Sequence, residues 1–189
     1  VTAFANTGYN EVGWFYPSTG STVCDKMVVY NYVEQAWSIS ELARDSWDDA
    51  GASADLPIAV KTSAGAGYLY EHETGFNDDG QPLSAFIETA DFDVADGDRF
   101  AFIRRLLPDL SFVGTSTNPT LTYSLKSRNN SDGTLTTQSS VDVSNTTDFA
   151  MANVRARARQ MRVRIESTDE DNGWRLGDVR LDVRVDGRR

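Results

Sequence analysis

The chain has 189 residues, 40% hydrophobic and 11% aromatic, enough for one generous domain or two small ones and not a disordered composition. Its formal net charge is −10, and long-range repulsion argues against sequence-specific DNA binding by its acidic first half. Cys24 is the only cysteine, which excludes an internal disulfide and a thiolate metal cluster. No apolar run reaches the ~20 residues of a membrane-spanning helix, so no membrane insertion is expected.

Val1–Asn10 is small and polar, with Gly8 and Asn10 as turn formers, and reads as an opening strand or loop. A start at Val1 instead of Met suits a piece of a longer protein whose missing part is N-terminal. The stretch Glu11–Ser40 is the organising element. Val12–Tyr16 and Lys26–Tyr32 are dense in Val, Tyr, Phe and Trp, and Pro17–Thr22 between them supplies a turn. A second turn at Val33–Gln35 leads into a third strand at Ala36–Ile39, giving an aromatic meander. Glu41–Ala54 reads as a short helical turn or a loop carrying Arg44 and Trp47. Leu56–Thr62 and Tyr68–Glu71 form a further hairpin around the small residues Ser63–Gly67.

From Pro82 the texture changes. Ala85–Phe92 reads as a strand, Asp93–Asp98 as a tight acidic loop, and Arg99–Leu107 as a strand apolar on both faces that ends at Pro108. Strands at Leu110–Val113, Thr120–Arg128, Leu135–Val143 and Val154–Glu166 follow at regular intervals. In the last of these the arginine parity shifts between Arg159 and Arg162, which calls for a bulge near Gln160 or a strand that leaves its sheet there. The closing segment alternates Val179, Leu181, Val183, Val185 inward with Arg180, Asp182, Arg184, Asp186 outward. Those outward charges are expected to pair with Arg155, Arg157, Arg159, Arg162 and Arg164 of the Val154–Glu166 strand as a cross-strand ladder. The fold class is therefore all-β: a propeller-like antiparallel meander over residues 1–81, followed by a β-sandwich over residues 82–189.

Charge divides unevenly. Residues 1–100 carry 17 Asp/Glu against 4 Lys/Arg, and residues 101–189 carry 11 against 14, balances of −13 and +3. Two faces or two domains in different surroundings would produce such a split. The loop carrying Asp91, Asp93, Asp96 and Asp98 around Gly97 offers carboxylates to a calcium ion, yet its spacing is not that of a helix-loop-helix site; a solvated hairpin tip is the expected reading, with no metal or cofactor. His72, the only histidine, lies between Glu71 and Glu73, which favour its charged form. No G-x-S-x-G elbow accompanies it, and no catalytic set is expected.

The candidate functional residues are therefore interface residues. Trp14, Phe15 and Tyr16 are consecutive, so they cannot all share one face of a strand; at least one points to another sheet, a partner or solvent. With Tyr30, Tyr32 and Trp37 they suit a subunit interface or a sugar platform. Arg104 and Arg105 place one guanidinium on each face, one of them against an acid or at an interface. The expected subunit-interface set is Trp14, Phe15, Tyr16, Trp37, Arg104, Arg105, Arg155, Arg157 and Arg159.

The segments EVGWFYPS, STVCDKMVVYNYVEQAWSI, YLYEHETGFNDDG, IETADFDVADGDRFAFIRRLLPDLSF and RARARQMRVRIES with GWRLGDVRLDVRVDGRR resemble the C-terminal part of tail hub or nozzle proteins of short-tailed bacteriophages. The resemblance runs from about Glu11 to Arg189, and none of its motifs is catalytic. It implies a virion protein built into a homo-oligomeric ring, usually of six copies, beside other tail or portal-adaptor subunits, with DNA passing through without sequence-specific contacts. A complete propeller does not fit in this length. A carbohydrate- or receptor-binding module of such a tail is the alternative, and a polysaccharide hydrolase the third reading.

Overall fold

The computed structural model describes residues 1–51, 54–94, 96–144 and 151–187. Among them the chain is all-β, with antiparallel sheets, none closed on itself, and no α-helix. It forms two compact units, Val1–Thr74 and Gly75–Arg189. The hairpin Asn77–Pro82 thus lies in the second unit, ahead of the texture change at Pro82.

The first unit contains strands β1 (Thr2–Asn6), β2 (Glu11–Tyr16), β3 (Lys26–Asn31), β4 (Ala36–Ser40), β5 (Ser46–Asp48), β6 (Ile58–Ser63) and β7 (Ala66–Glu71). β1-β2-β3-β4 form one sheet in chain order and β5-β6-β7 another. Local chemistry sets the register. Asp25 accepts from the Ser18 amide and hydroxyl, both at 2.6 Å, and so ties the β2–β3 connection. Asn31 Oδ1 accepts from the amides of Val33 and Glu34, forming the turn into β4. The described residues of the 41–54 segment supply no helix. Trp47 sits in β5, donating from Nε1 to the Ala5 carbonyl at 2.9 Å and lying 4.9 Å from the Phe4 ring, which fastens the two sheets of this unit together. A helical turn would have withheld that indole from its long-range partners.

The second unit contains β8 (Asn77–Asp78), β9 (Gln81–Pro82), β10 (Ala85–Glu88), β11 (Phe92–Asp93), β12 (Phe100–Leu107), β13 (Leu110–Gly114), β14 (Thr120–Arg128), β15 (Thr136–Ser144), β16 (Ala152–Ala158), β17 (Gln160–Ser167), β18 (Asn172–Leu176) and β19 (Arg180–Asp186). One sheet runs β10-β17-β14-β15, with β11 also on β17; a second runs β16-β12-β19. Their inward residues, among them Ile103, Leu106, Leu121, Tyr123, Leu125, Val154, Met161, Val163 and Ile165, form a single buried cluster. β13 and β18 pair with each other and add Leu110, Phe112, Trp174 and Leu176 to it.

The parity shift near Arg159 is a change of sheet. β16 ends at Ala158 beside β12, and β17 begins at Gln160 beside β14, so the alternation resets where the chain crosses over. Three other expectations are corrected. β12 buries one face only: Ala101, Ile103 and Leu106 are inside, whereas Phe100 and Phe102 are half-buried on the outer face. β16 and β19 flank β12 and do not pair, so no continuous charge ladder joins them, although Arg157 reaches Asp186 as one expected pair. β19 is an edge strand, and Val183 and Val185, on the core-facing side opposite Ile103 and Ala101, remain exposed.

The charge split by halves does not survive folding either. Glu88 accepts from Lys126 at 2.6 Å and Arg162 at 3.1 Å, and Asp91 pairs with Arg128 and Arg162. Acids of the first half thus neutralise bases of the second. By compact unit, residues 1–74 hold ten acidic against three basic side chains, a balance of −7, and residues 75–189 hold 18 against 15, a balance of −3. Hydrogen bonding from Lys126 holds the Glu88 carboxyl below its usual range, and hydrogen bonding from Arg162 does the same for Asp91. A depressed folded-state pKa contributes stability that is present above the unfolded value and lost as pH falls through the folded one. Thermal unfolding of the second unit should therefore shift to lower temperature as pH drops below about 4, the ordinary carboxylate range. Glu88→Gln with Asp91→Asn should flatten that dependence; a wild-type slope left intact by the double variant would remove this network as its cause.

Candidate interaction surfaces

The β1-β2-β3-β4 sheet has two unlike faces. Alternation sends Phe15 and Val29 inward, where they are 0% and 4% exposed, and sends Val12, Trp14, Tyr16, Val28, Tyr30, Trp37 and Ile39 to the other side. Cross-strand register stacks them in two rows, Val12–Tyr30–Trp37 and Trp14–Val28–Ile39. Trp37 is 64% exposed and Ile39 75%. The Tyr30 and Trp37 rings lie 4.7 Å apart, and Trp14 stacks on Trp37 at 6.2 Å with 25° between planes. Lys26, bound to Glu41, is the one charged side chain on β2, β3 or β4 that this alternation places on the apolar face. A contiguous apolar face with so little charge is the composition of an interface centre.

Phe15 is corrected out of the interface set. It packs against Phe4 at 4.7 Å and Trp47 at 6.3 Å and belongs to the core of its unit. Trp14, Tyr16 and Trp37 share the open face. The same parity that removed one aromatic from the surface therefore grouped the others.

The five predicted arginines lie in the second unit, four of them on strands of the β16-β12-β19 sheet. β16 turns Ala152, Val154, Ala156 and Ala158 inward and Arg155 and Arg157 outward. Arg157, Phe102 and Arg184 form one row across the three strands. Pairing shifts between Ile103 and Arg105, leaving Arg104 as an extra residue against β19, so that Leu106 regains the core and both arginines stay off it. Arg105 binds Asp182 at 2.9 Å and Arg157 binds Asp186 at 2.5 Å. Arg157 and Arg159 lie over the Phe100 ring, 4.0 and 5.0 Å from its centroid, and Arg159 donates to the Gly97 carbonyl at 2.8 Å. Arg104, Arg155 and Arg184 make no ion pair among the described residues. Sequence reading turned Arg184 outward but left it out of the interface set, because only the pairing of β19 with β12 brings it opposite Phe102.

Two chemical candidates take structural roles. Arg44, 6% exposed, donates from Nε to His72 Nε2 at 3.0 Å and lies over the Tyr70 ring at 4.0 Å, while the His72 ring packs 4.6 Å from Trp47. The imidazole is thus held between a guanidinium and an indole ring. Asp91 is taken up by arginines, and Arg159 reaches into the loop of Asp93 and Asp96 beside a polar cavity of about 360 Å³. Among the described residues no group of three or more His, Cys, Asp or Glu side chains is placed to hold a metal ion.

No protein-family model matches the chain, and no curated protein matches it.

Proposed function

We propose that the chain is a non-catalytic structural subunit of a bacteriophage tail, at the hub or nozzle, where copies form a ring around the DNA passage. The observation that carries the assembly role is the apolar face on which Trp37 and Ile39 are exposed beside half-buried Trp14 and Tyr30, a surface whose burial by another protein would be strongly favourable. The tail setting rests on the sequence resemblance from Glu11 to Arg189. Under this reading the four-stranded meander is one propeller-like blade and the second unit a sandwich platform. Neighbouring copies, other tail or portal-adaptor subunits and passing DNA, without sequence-specific contacts, are its partners, and the virion is its location. Among the described residues no helix is long and apolar enough to cross a membrane.

The test is incorporation into particles. Trp37→Ala combined with Ile39→Ala should reduce incorporation at least ~10-fold, the effect of losing an interface anchor of roughly 2 kcal/mol, while the chain keeps its wild-type melting behaviour. Undiminished incorporation would remove the aromatic face from the assembly. The stacked Trp14 and Trp37 rings favour a second reading, carbohydrate or receptor binding. A glycan array decides it: a sugar signal abolished by Trp14→Ala or Trp37→Ala would replace the structural reading.

A further inference from the structure

Two three-stranded sheets carry faces of opposite charge and matching layout. In the second unit, Arg157, Phe102 and Arg184 lie in a row across β16, β12 and β19. In the first, Asp48, Ile58 and Glu71 lie in a row across β5, β6 and β7. Each row puts an apolar residue on the central strand and like charges on the two flanking strands. The Cα positions of the charged residues are therefore two strand spacings apart, roughly 9–10 Å, in both. The acidic face also carries Val60 and Leu69, and Asp48, Glu71 and Leu69 are exposed.

Resting on the reading of the chain as an assembling subunit, we propose that the arginine face of one copy docks on the β5-β6-β7 face of a second copy. Arg104, Arg155 and Arg184 make no ion pair within the chain among the described residues, and neither do Asp48 and Glu71. Among the described residues, Asp182 and Asp186 on the arginine face take up only Arg105 and Arg157, whereas the other large sheet of the second unit is paired throughout. On its outer side Lys126, Arg128, Arg162 and Arg164 are taken up by Glu88, Asp91 and Glu166, so that surface is closed off electrostatically. The first unit cannot balance its own charge, since three basic side chains face ten acidic ones. Guanidiniums are weakly hydrated and stack on rings, which suits them to a contact centred on Phe102 and Ile58. A nucleic-acid partner is disfavoured because the chain as a whole, at −10, repels a polyanion. Two different patches meet in this contact, so it is heterologous and propagates from copy to copy until rotation closes it.

Sedimentation velocity on the full chain tests the pairing. Wild type should associate at about 50 mM salt and dissociate toward about 500 mM, where screening shortens the reach of charge several-fold. Arg155→Glu with Arg184→Glu should weaken association at least ~10-fold, as should Asp48→Lys with Glu71→Lys, and mixing the two variants should restore it. A chain that stays monomeric at low salt overturns the proposal. So does association that both charge reversals leave unchanged, which would place the contact elsewhere without touching the subunit reading. A labelled DNA duplex retained by wild type and lost by the arginine variant, with no self-association, would assign the face to nucleic acid instead.

Discussion

Phe15→Ala should cost the first unit about 3–5 kcal/mol, the usual result of truncating a fully buried aromatic. Phe15 is 0% exposed, stacks on Phe4 and touches Trp47, and these three rings join the β1-β2-β3-β4 sheet to β5. Against a total stability of roughly 5–15 kcal/mol the loss is large. Denaturant unfolding followed by tryptophan fluorescence should show it. The exposed neighbour offers the control: Trp37→Ala should leave the midpoint nearly unchanged. A loss below about 1 kcal/mol for Phe15→Ala would mean that the ring is not a core residue.

Gly114→Ala should be nearly as damaging in the second unit, by about 3 kcal/mol, at the upper end of overpacking costs. A Cβ there would meet the Asp171 carbonyl oxygen at 2.2 Å and the Gly173 nitrogen at 2.9 Å. Both are backbone atoms and cannot rotate away. Asp171 is also fixed in place, with a φ of 53°, its amide donating to Asn77 Oδ1 at 2.7 Å and its carboxylate accepting from Asn77 Nδ2 at 2.8 Å. Its carbonyl in turn accepts from the Thr115 and Ser116 amides. Gly65→Ala makes a useful contrast, since open space surrounds that position and only its φ of 81° opposes a side chain. It should cost about 1 kcal/mol. Equal melting temperatures for the Gly114 variant and wild type would contradict the close strand approach described here.

What the sequence made legible was local. The β2–β3–β4 meander could be read because Val, Tyr, Phe and Trp fill its strands and Pro17–Thr22 and Val33–Gln35 interrupt them. The sheet crossing at Arg159 was legible for a geometric reason: side chains alternate with period two, so a parity break must be a bulge or an exit. Which of the two it was depended on partners distant in sequence. The same holds for β19, whose alternation was plain but whose position beside β12, at a sheet edge, was not. β5 has three residues, too few to show a period, and its Trp47 is explained by partners distant in sequence, Ala5, Phe4, Phe15 and His72. The charge halves misled because Glu88 and Asp91 fold back onto Lys126, Arg128 and Arg162. Of the candidate surface, the tryptophans and arginines could be named in advance; that Phe15 was core and that Arg184 lay opposite Phe102 required the register.

Electron microscopy of an assembled tail containing this chain, at a resolution that shows side chains, tests the central claim most directly. Trp14, Trp37 and Ile39 should be covered by another protein subunit. Finding that aromatic face open to solvent in the finished particle, or occupied by a bound sugar, would contradict the account.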